Sequence, residues 1–258
     1  MSSSLPPEGF VEFSRRLGDP SADLAILGEG NTSIRGEEPG TFWVKASGCQ
    51  LGTISSSGFV LMRSKPLMEA LAGPSLSDAE VKSVLASSRV DQSGDLMPSV
   101  ESFMHAALLE LEGVNVVGHV HPTPLLSLLC LEGAEQIAGQ RLFPDEIVCC
   151  GPATCWVPYT DPGLALSLAI MSATKDFVAN WGQTPKVWWL GNHGLIGVGA
   201  NTKEVESAVF MGAKSARVWL GAVQSGRGIQ VLSSEQVERI AGRPDEHYRQ
   251  RMLWTSGN

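Results

Sequence analysis

Val114-Asn115-Val116-Val117-Gly118-His119-Val120-His121-Pro122 is the stretch on which the fold turns. Residues i and i+2 of a strand share a face, so Val114, Val116 and Val120 can be buried while His119 and His121 project together from the other side. Pro122 ends the strand, with Thr123 placed to cap and Pro124 to start a following helix. The histidine pair therefore sits at a strand end. Downstream, Asn192-His193-Gly194 is a turn signal between the apolar runs Lys186–Leu190 and Leu195–Val198, which predicts a hairpin carrying His193. Three imidazoles suit an open, catalytic divalent-metal site. For His119 and His121 alone, ordinary hydrogen-bonded strand histidines are an equal alternative, and a third histidine in a Gly-flanked turn favours the metal.

Working outward, Gly9–Leu17 reads as a helix, and Leu24–Leu27 as a short strand entering the turn Gly28-Glu29-Gly30-Asn31. Thr41–Lys45 and Phe59–Met62 read as strands and Leu76–Ser87 as a capped helix. Val100, Phe103, Met104, Ala107, Leu108 and Leu111 recur at helical spacing, predicting a second helix with one buried face and with Glu101 and His105 together on its flank. Beyond the central strand, Leu125–Leu131 is expected as helix, Ile147–Cys149 as strand, and Leu164–Trp181 and Lys203–Leu220 as helices. The core is expected over about 10–220 with a helical C-terminal tail, and the segment after Gly242 is polar and expected to be mobile. Strands and helices mix without regular alternation, which favours a three-layer α/β/α arrangement around a mostly antiparallel sheet over a doubly wound fold.

A chain of 258 residues, 43% hydrophobic and 18% charged, can bury a large core, and one domain over 1–258 is expected. The formal charge of -8, without a Lys/Arg cluster, offers no footprint for nucleic acid or anionic membrane. The longest apolar runs are too short to span a bilayer, and the N-terminus lacks a basic region followed by an apolar one, so a cytoplasmic protein is expected. Cys49, Cys130, Cys149, Cys150 and Cys155 contain no C-x-x-C and fit reduced thiols.

Gly28-Glu29-Gly30-Asn31-Thr32-Ser33 has Ser33 where a dinucleotide fingerprint needs its third glycine, and Gly197-Val198-Gly199 fails likewise. What the first loop offers is a set of close backbone N–H groups with Asn31, Thr32 and Ser33, a nest for an oxyanion, against the plain reading of a strand–strand turn. Ser47-Gly48-Cys49 is a second small-residue turn, and Pro98-Ser99 opens the helix that carries Glu101, where a helix N-terminus favours anions. Ser172-Ala173-Thr174-Lys175 matches S-x-x-K without its companion motifs and is taken as chance.

Gly30-Asn31-Thr32-Ser33-Ile34-Arg35, Ser47-Gly48, Ser99-x-Glu101-x-x-x-His105, His119-Val120-His121 and Asn192-His193-Gly194-Leu195 together strongly resemble the class II aldolase/adducin family, in order, from about residue 10 to about 220. Val157-Pro158-Tyr159-x-x-Pro162-Gly163 also resembles a family feature. Val44-Lys45-Ala46-Ser47-Gly48 is most similar to the aldolase half of bifunctional sugar aldolase/dehydrogenases, so the dehydrogenase half is expected to be absent. The resemblance implies an α/β/α fold and a homotetramer with active sites at subunit interfaces. It implies zinc, or another divalent transition metal, on His119, His121 and His193, with Glu101 as acid/base. It also implies Gly30, Asn31, Ser47, Gly48 and Ser99 around a substrate phosphate.

The chemistry stands without the resemblance. Cleaving a ketose between C3 and C4 leaves an enediolate, which a metal can stabilise as a Lewis acid while a neighbouring carboxylate moves the proton. The expected substrate is a ketose 1-phosphate or a related sugar or hydroxy-carbonyl compound. Two residues depart from the phosphate-binding pattern: Val100 replaces a serine, and Glu29 brings a carboxylate into the Gly-rich loop, where Arg35 would have to pair with it. A sugar acid or unphosphorylated ketose therefore stays open. Epimerase, dehydratase and decarboxylase chemistry on the same site are alternatives, as is a non-catalytic adducin-like oligomerisation module.

Overall fold

The computed structural model describes residues 5–255. In chain order its elements are α1 (Glu8–Leu17), β1 (Asn31–Arg35), β2 (Thr41–Lys45), β3 (Phe59–Arg63), α2 (Ser64–Ala72), α3 (Asp78–Ser87), α4 (Ser102–Leu109), β4 (Val116–Val120), α5 (Thr123–Leu129), α6 (Ala134–Ala138), α7 (Pro144–Cys150), β5 (Cys155–Val157), α8 (Leu164–Trp181), β6 (Val187–Leu190), β7 (Gly194–Gly199), α9 (Thr202–Gln224), α10 (Ser234–Ala241) and α11 (Pro244–Thr255). One seven-stranded sheet runs β3-β2-β1-β4-β7-β6-β5. Every pairing is antiparallel except β5 with β6. Helices cover both faces, so the three-layer α/β/α expectation holds. Among the described residues no helix is long and apolar enough to cross a membrane.

The sheet separates two apolar cores. Phe13, Leu17, Val116, Val120, Leu195, Val205 and Val209 fill the side covered by α1, α5 and α9. Phe42, Val44, Phe103, Val117, Leu166, Trp188 and Ile196 fill the side covered by α2, α4 and α8. β4 lies at the centre, with all five of its residues buried. Within the strand the parity is the one expected, with Val116 and Val120 facing α1 and α9 and His119 facing α4 along with Val117, but Val114, which precedes the strand, packs in the second core and not with Val116 and Val120. Among the described residues none of the five cysteines is in a disulfide, as expected.

Several local expectations are corrected. Leu24–Leu27 is a turn, because Asp23 and Leu27 adopt left-handed φ of 52° and 49° and the Glu29 carboxylate accepts from the Ile26 N–H at 3.0 Å. The strand begins instead at Asn31, where buried polar residues are individually paired. Ile147–Cys149 belongs to α7, whose Pro144 occupies the first turn with Asp145 and Glu146, a favourable helix start. Thr123 is the first residue of α5 and not its cap, and its hydroxyl donates to Asp23 at 2.7 Å. α4 is buried on every side, while Val100 lies before it and is 43% exposed. Arg35 cannot answer Glu29, since its guanidinium donates to the Val114 and Leu109 carbonyls at the far end of β1.

Candidate metal centre

The three histidines predicted to cooperate come together at the end of β4. Register pairs His119 with Ile196 of β7, so the β6–β7 turn folds back over the end of β4 and brings His193 beside it. Asn192 makes that turn with a left-handed φ of 52°. Nε2 of His119 stands 3.0 Å from Nε2 of His121 and 3.3 Å from Nε2 of His193. A tetrahedral zinc with Zn–N bonds of about 2.0–2.1 Å has N···N edges of about 3.3 Å, close to these two distances, and one ring nitrogen from each of the three histidines lies within 4.8 Å of the others. His119 Nδ1 donates to the Leu195 carbonyl at 3.0 Å, which leaves its Nε2 lone pair facing inward, the usual support for a ligating imidazole.

Electrostatics agree with this donor set. Burial first, and the neighbouring imidazoles after it, push the His119 and His121 pKa values down to about 3. Burial also lowers His193. The three rings are therefore neutral at pH 7, the form that ligates a metal. With the Nδ1 proton of His119 held by Leu195, its Nε2 offers a lone pair toward the other two rings, each of which presents its own Nε2 at ligating distance. The residues present fit a divalent metal.

Glu101 joins the cluster from the start of α4. It is buried, with Oε1 3.4 Å from His193 Nε2 and Oε2 3.7 Å from His119 Nε2. Oε2 accepts from Asn31 Nδ2 at 2.6 Å, whereas Oε1 is buried with no hydrogen-bond partner. Asn31 reaches this side because β1 pairs it directly with His119. A buried carboxylate oxygen aimed at three neutral imidazoles without a donor of its own is the signature of a site built for a positive charge.

The expected anion-binding residues gather on the same side of the sheet, at its edge loops. Gly30 has φ of +64°, and a Cβ there would stand 2.5 Å from the His119 carbonyl, so only glycine lets this loop cross the end of β4. Asn31 Nδ2 lies 3.4 Å from Ser99 Oγ, which also accepts from the Glu101 N–H at 3.3 Å. The Ser47 N–H donates to the Met97 carbonyl and the Ser99 N–H to the Lys45 carbonyl, which laces the exposed Ser47–Gly48 turn to the entrance of α4.

Two contributors were not singled out from the sequence. Lys45 is 2% exposed, and its Nζ donates to the Gly28 and Cys49 carbonyls at 3.0 and 2.6 Å, tying the two small-residue turns together. Burial holds this ammonium below the ordinary lysine range. Its signal was parity, since Lys45 shares a strand face with the buried Trp43. Ser33 and His105 were named in motifs but not joined: the link from Ser33 to His105 to Asn31 runs between residues far apart in the chain, and nothing local signals it.

An α/β/α protein with three convergent neutral imidazoles and a carboxylate against them is what fold and site define. The chain belongs to the class II aldolase and adducin family: the profile of the Class II Aldolase and Adducin N-terminal domain matches residues 8–220. Over 199 residues it is 28% identical to the uncharacterized oxidoreductase YuxG of Bacillus subtilis (strain 168), an alignment covering 69% of this chain and 27% of that one. The chain thus spans about a quarter of the length of that curated relative. The structure resembles the N-terminal class II aldolase domain of a conserved protein from Thermoplasma acidophilum, with TM-score 0.68 and 26% identity over 85% of this chain and 95% of that one. It also resembles an L-fuculose 1-phosphate aldolase, with TM-score 0.67 and 19% identity over 96% and 99% of the two chains, a likeness of fold.

Proposed function

We propose that this protein is a divalent-metal-dependent aldehyde-lyase that cleaves a ketose 1-phosphate, or a related hydroxy-carbonyl compound, by retro-aldol chemistry. The observation that carries the reading is the unpartnered Glu101 Oε1 facing three neutral imidazoles. His119, His121 and His193 hold the metal, with zinc the best match to their donor set and spacing. When bound there, it supplies Lewis-acid polarisation of two adjacent oxygens of the substrate.

The chain's own residues do the rest. Glu101 takes up at Oε1 the proton lost from the hydroxyl on the carbon that becomes the aldehyde and delivers it to the carbon left with the electron pair of the broken C–C bond, while the hydrogen bond from Asn31 to Oε2 keeps the carboxylate aimed. Gly30, Asn31, Ser47, Gly48 and Ser99 bind the anionic end of the substrate with backbone and side-chain donors. The Glu29 carboxylate is turned back onto its own loop, where it accepts from the Ile26 N–H. A homotetramer that completes the site with residues of neighbouring copies fits the family membership.

The test is a screen of ketose 1-phosphates, unphosphorylated ketoses and sugar acids with the zinc-loaded protein, following aldehyde release. Cleavage of at least one, abolished by chelation and restored by zinc, is expected. Epimerised product without aldehyde, or carbon dioxide release, would replace the lyase reading with the alternative the product names. No product from a fully metal-loaded protein would favour the oligomerisation module.

A further inference from the structure

Helix α4 carries a histidine that the metal centre does not use. His105 is fully buried one turn after Glu101, and both of its ring nitrogens are engaged: Nδ1 lies 2.7 Å from Ser33 Oγ, and Nε2 meets Asn31 Oδ1. Asn31 continues the chain, donating from Nδ2 to Glu101 Oε2 at 2.6 Å.

Donor and acceptor chemistry fixes the direction of every link. A carboxylate only accepts, so Asn31 turns its NH2 to Glu101 and its carbonyl oxygen to His105. That oxygen also only accepts, so His105 carries its proton on Nε2. Burial lowers the His105 pKa to about 3, which keeps the ring neutral and leaves Nδ1 bare to accept from the Ser33 hydroxyl. Turning the Asn31 amide over would set its oxygen against the Glu101 carboxylate, and the His105 N–H is what holds it the right way round. Residues 31 and 33 can serve the same helix because they share one face of β1.

We propose that His105 is a positioning residue: with its Nε2–H directed at Asn31 and its Nδ1 supported by the Ser33 hydroxyl, it fixes the Asn31 amide and thereby holds the Glu101 carboxylate against the three-imidazole centre. This rests on the reading of that centre as a metal site. A residue that merely filled the core would be replaced by leucine without consequence for Glu101.

Co(II) alone is the probe, added to the full chain, with its dissociation constant read by chelator competition and its coordination by the visible ligand-field spectrum. His105→Leu is expected to weaken Co(II) binding about tenfold, no more than Glu101→Gln does, and to alter the spectrum. His105→Gln, which keeps a distal N–H donor, should return affinity to within about twofold of the native chain, and His105→Leu should add nothing in the Glu101→Gln background. Equal losses in both backgrounds, or no loss at all in His105→Leu, would overturn the proposal. If His105→Leu does not fold, Ser33→Ala leaves the ring in place, strips Nδ1 of its donor and carries the same cycle with about a threefold effect. A native chain that binds no Co(II) removes the metal-centre reading and this proposal with it. Normal binding without coupling between His105 and Glu101 removes only the positioning role.

Discussion

Gly194→Ala is a perturbation that replaces no proposed ligand and yet crowds two of them, His121 and His119, directly beside the third, His193. Gly194 follows His193 at the start of β7, and a Cβ there would stand 2.5 Å from the Val120 carbonyl, 2.7 Å from His121 Cδ2 and 3.3 Å from His119 Cε1. The first contact is with backbone, so the turn must shift, and the second pushes the His121 ring off its position. Overpacking of this kind costs about 1–3 kcal/mol in stability. Displacing supported ligands should also lower metal affinity by about 10–100-fold. Gly197→Ala is the matched control: it lies on the same strand, and its Cβ would stand 2.9 Å from Val209 Cγ2 on the opposite, α9-facing side. Both variants should lose comparable stability in urea, but only Gly194→Ala should lose metal affinity in chelator competition. Native-like metal affinity in folded Gly194→Ala, or an equal loss in Gly197→Ala, would refute the geometry assigned to the centre.

Glu101→Gln should still take up about one metal per chain at saturation, with affinity about tenfold weaker, because three imidazoles remain. Its turnover should fall by about 10²–10⁴-fold once a substrate is in hand, and unchanged turnover removes Glu101 from the mechanism. Acid should destabilise the metal-free protein through His105, which stays neutral in the fold down to about pH 3 but protonates near pH 6.5 when unfolded. The unfolded state then binds the extra proton, so stability is complete above about pH 6.5 and falls toward pH 3 by up to about 1.4 kcal/mol per pH unit for this residue. Urea titrations across that window should show a shallower slope in His105→Gln, and an unchanged slope would contradict the buried neutral ring.

The parts of the fold that could be read from the sequence were those in which periodicity and burial agree. β4 and α8 were legible because apolar residues occupy the positions that face a core, and the β6–β7 hairpin because Asn192 and Gly194 bracket a tight turn. β1 was not legible, since Asn31, Thr32 and Ser33 are buried by virtue of partners far along the chain: Glu101 and His105 for two of them, and the Ser14 hydroxyl for Thr32. Hydropathy assigns such residues to a surface turn, and it assigns the exposed Ile26 and Leu27 to a strand they do not form. In the same way the three histidines and Glu101 could be grouped by residue type and motif order. Lys45 and His105, which hold that group in place from behind, carry no local sequence sign of the contacts they make.

The most direct test of the account is the metal content of untagged protein purified without added metal, measured by elemental analysis beside His121→Ala. The account predicts about one zinc, or another divalent transition metal, per native chain and its loss from folded His121→Ala, since two imidazoles no longer close the site. A native chain that stays empty even after zinc, cobalt and manganese are supplied, or a His121→Ala variant that keeps its metal, would contradict it.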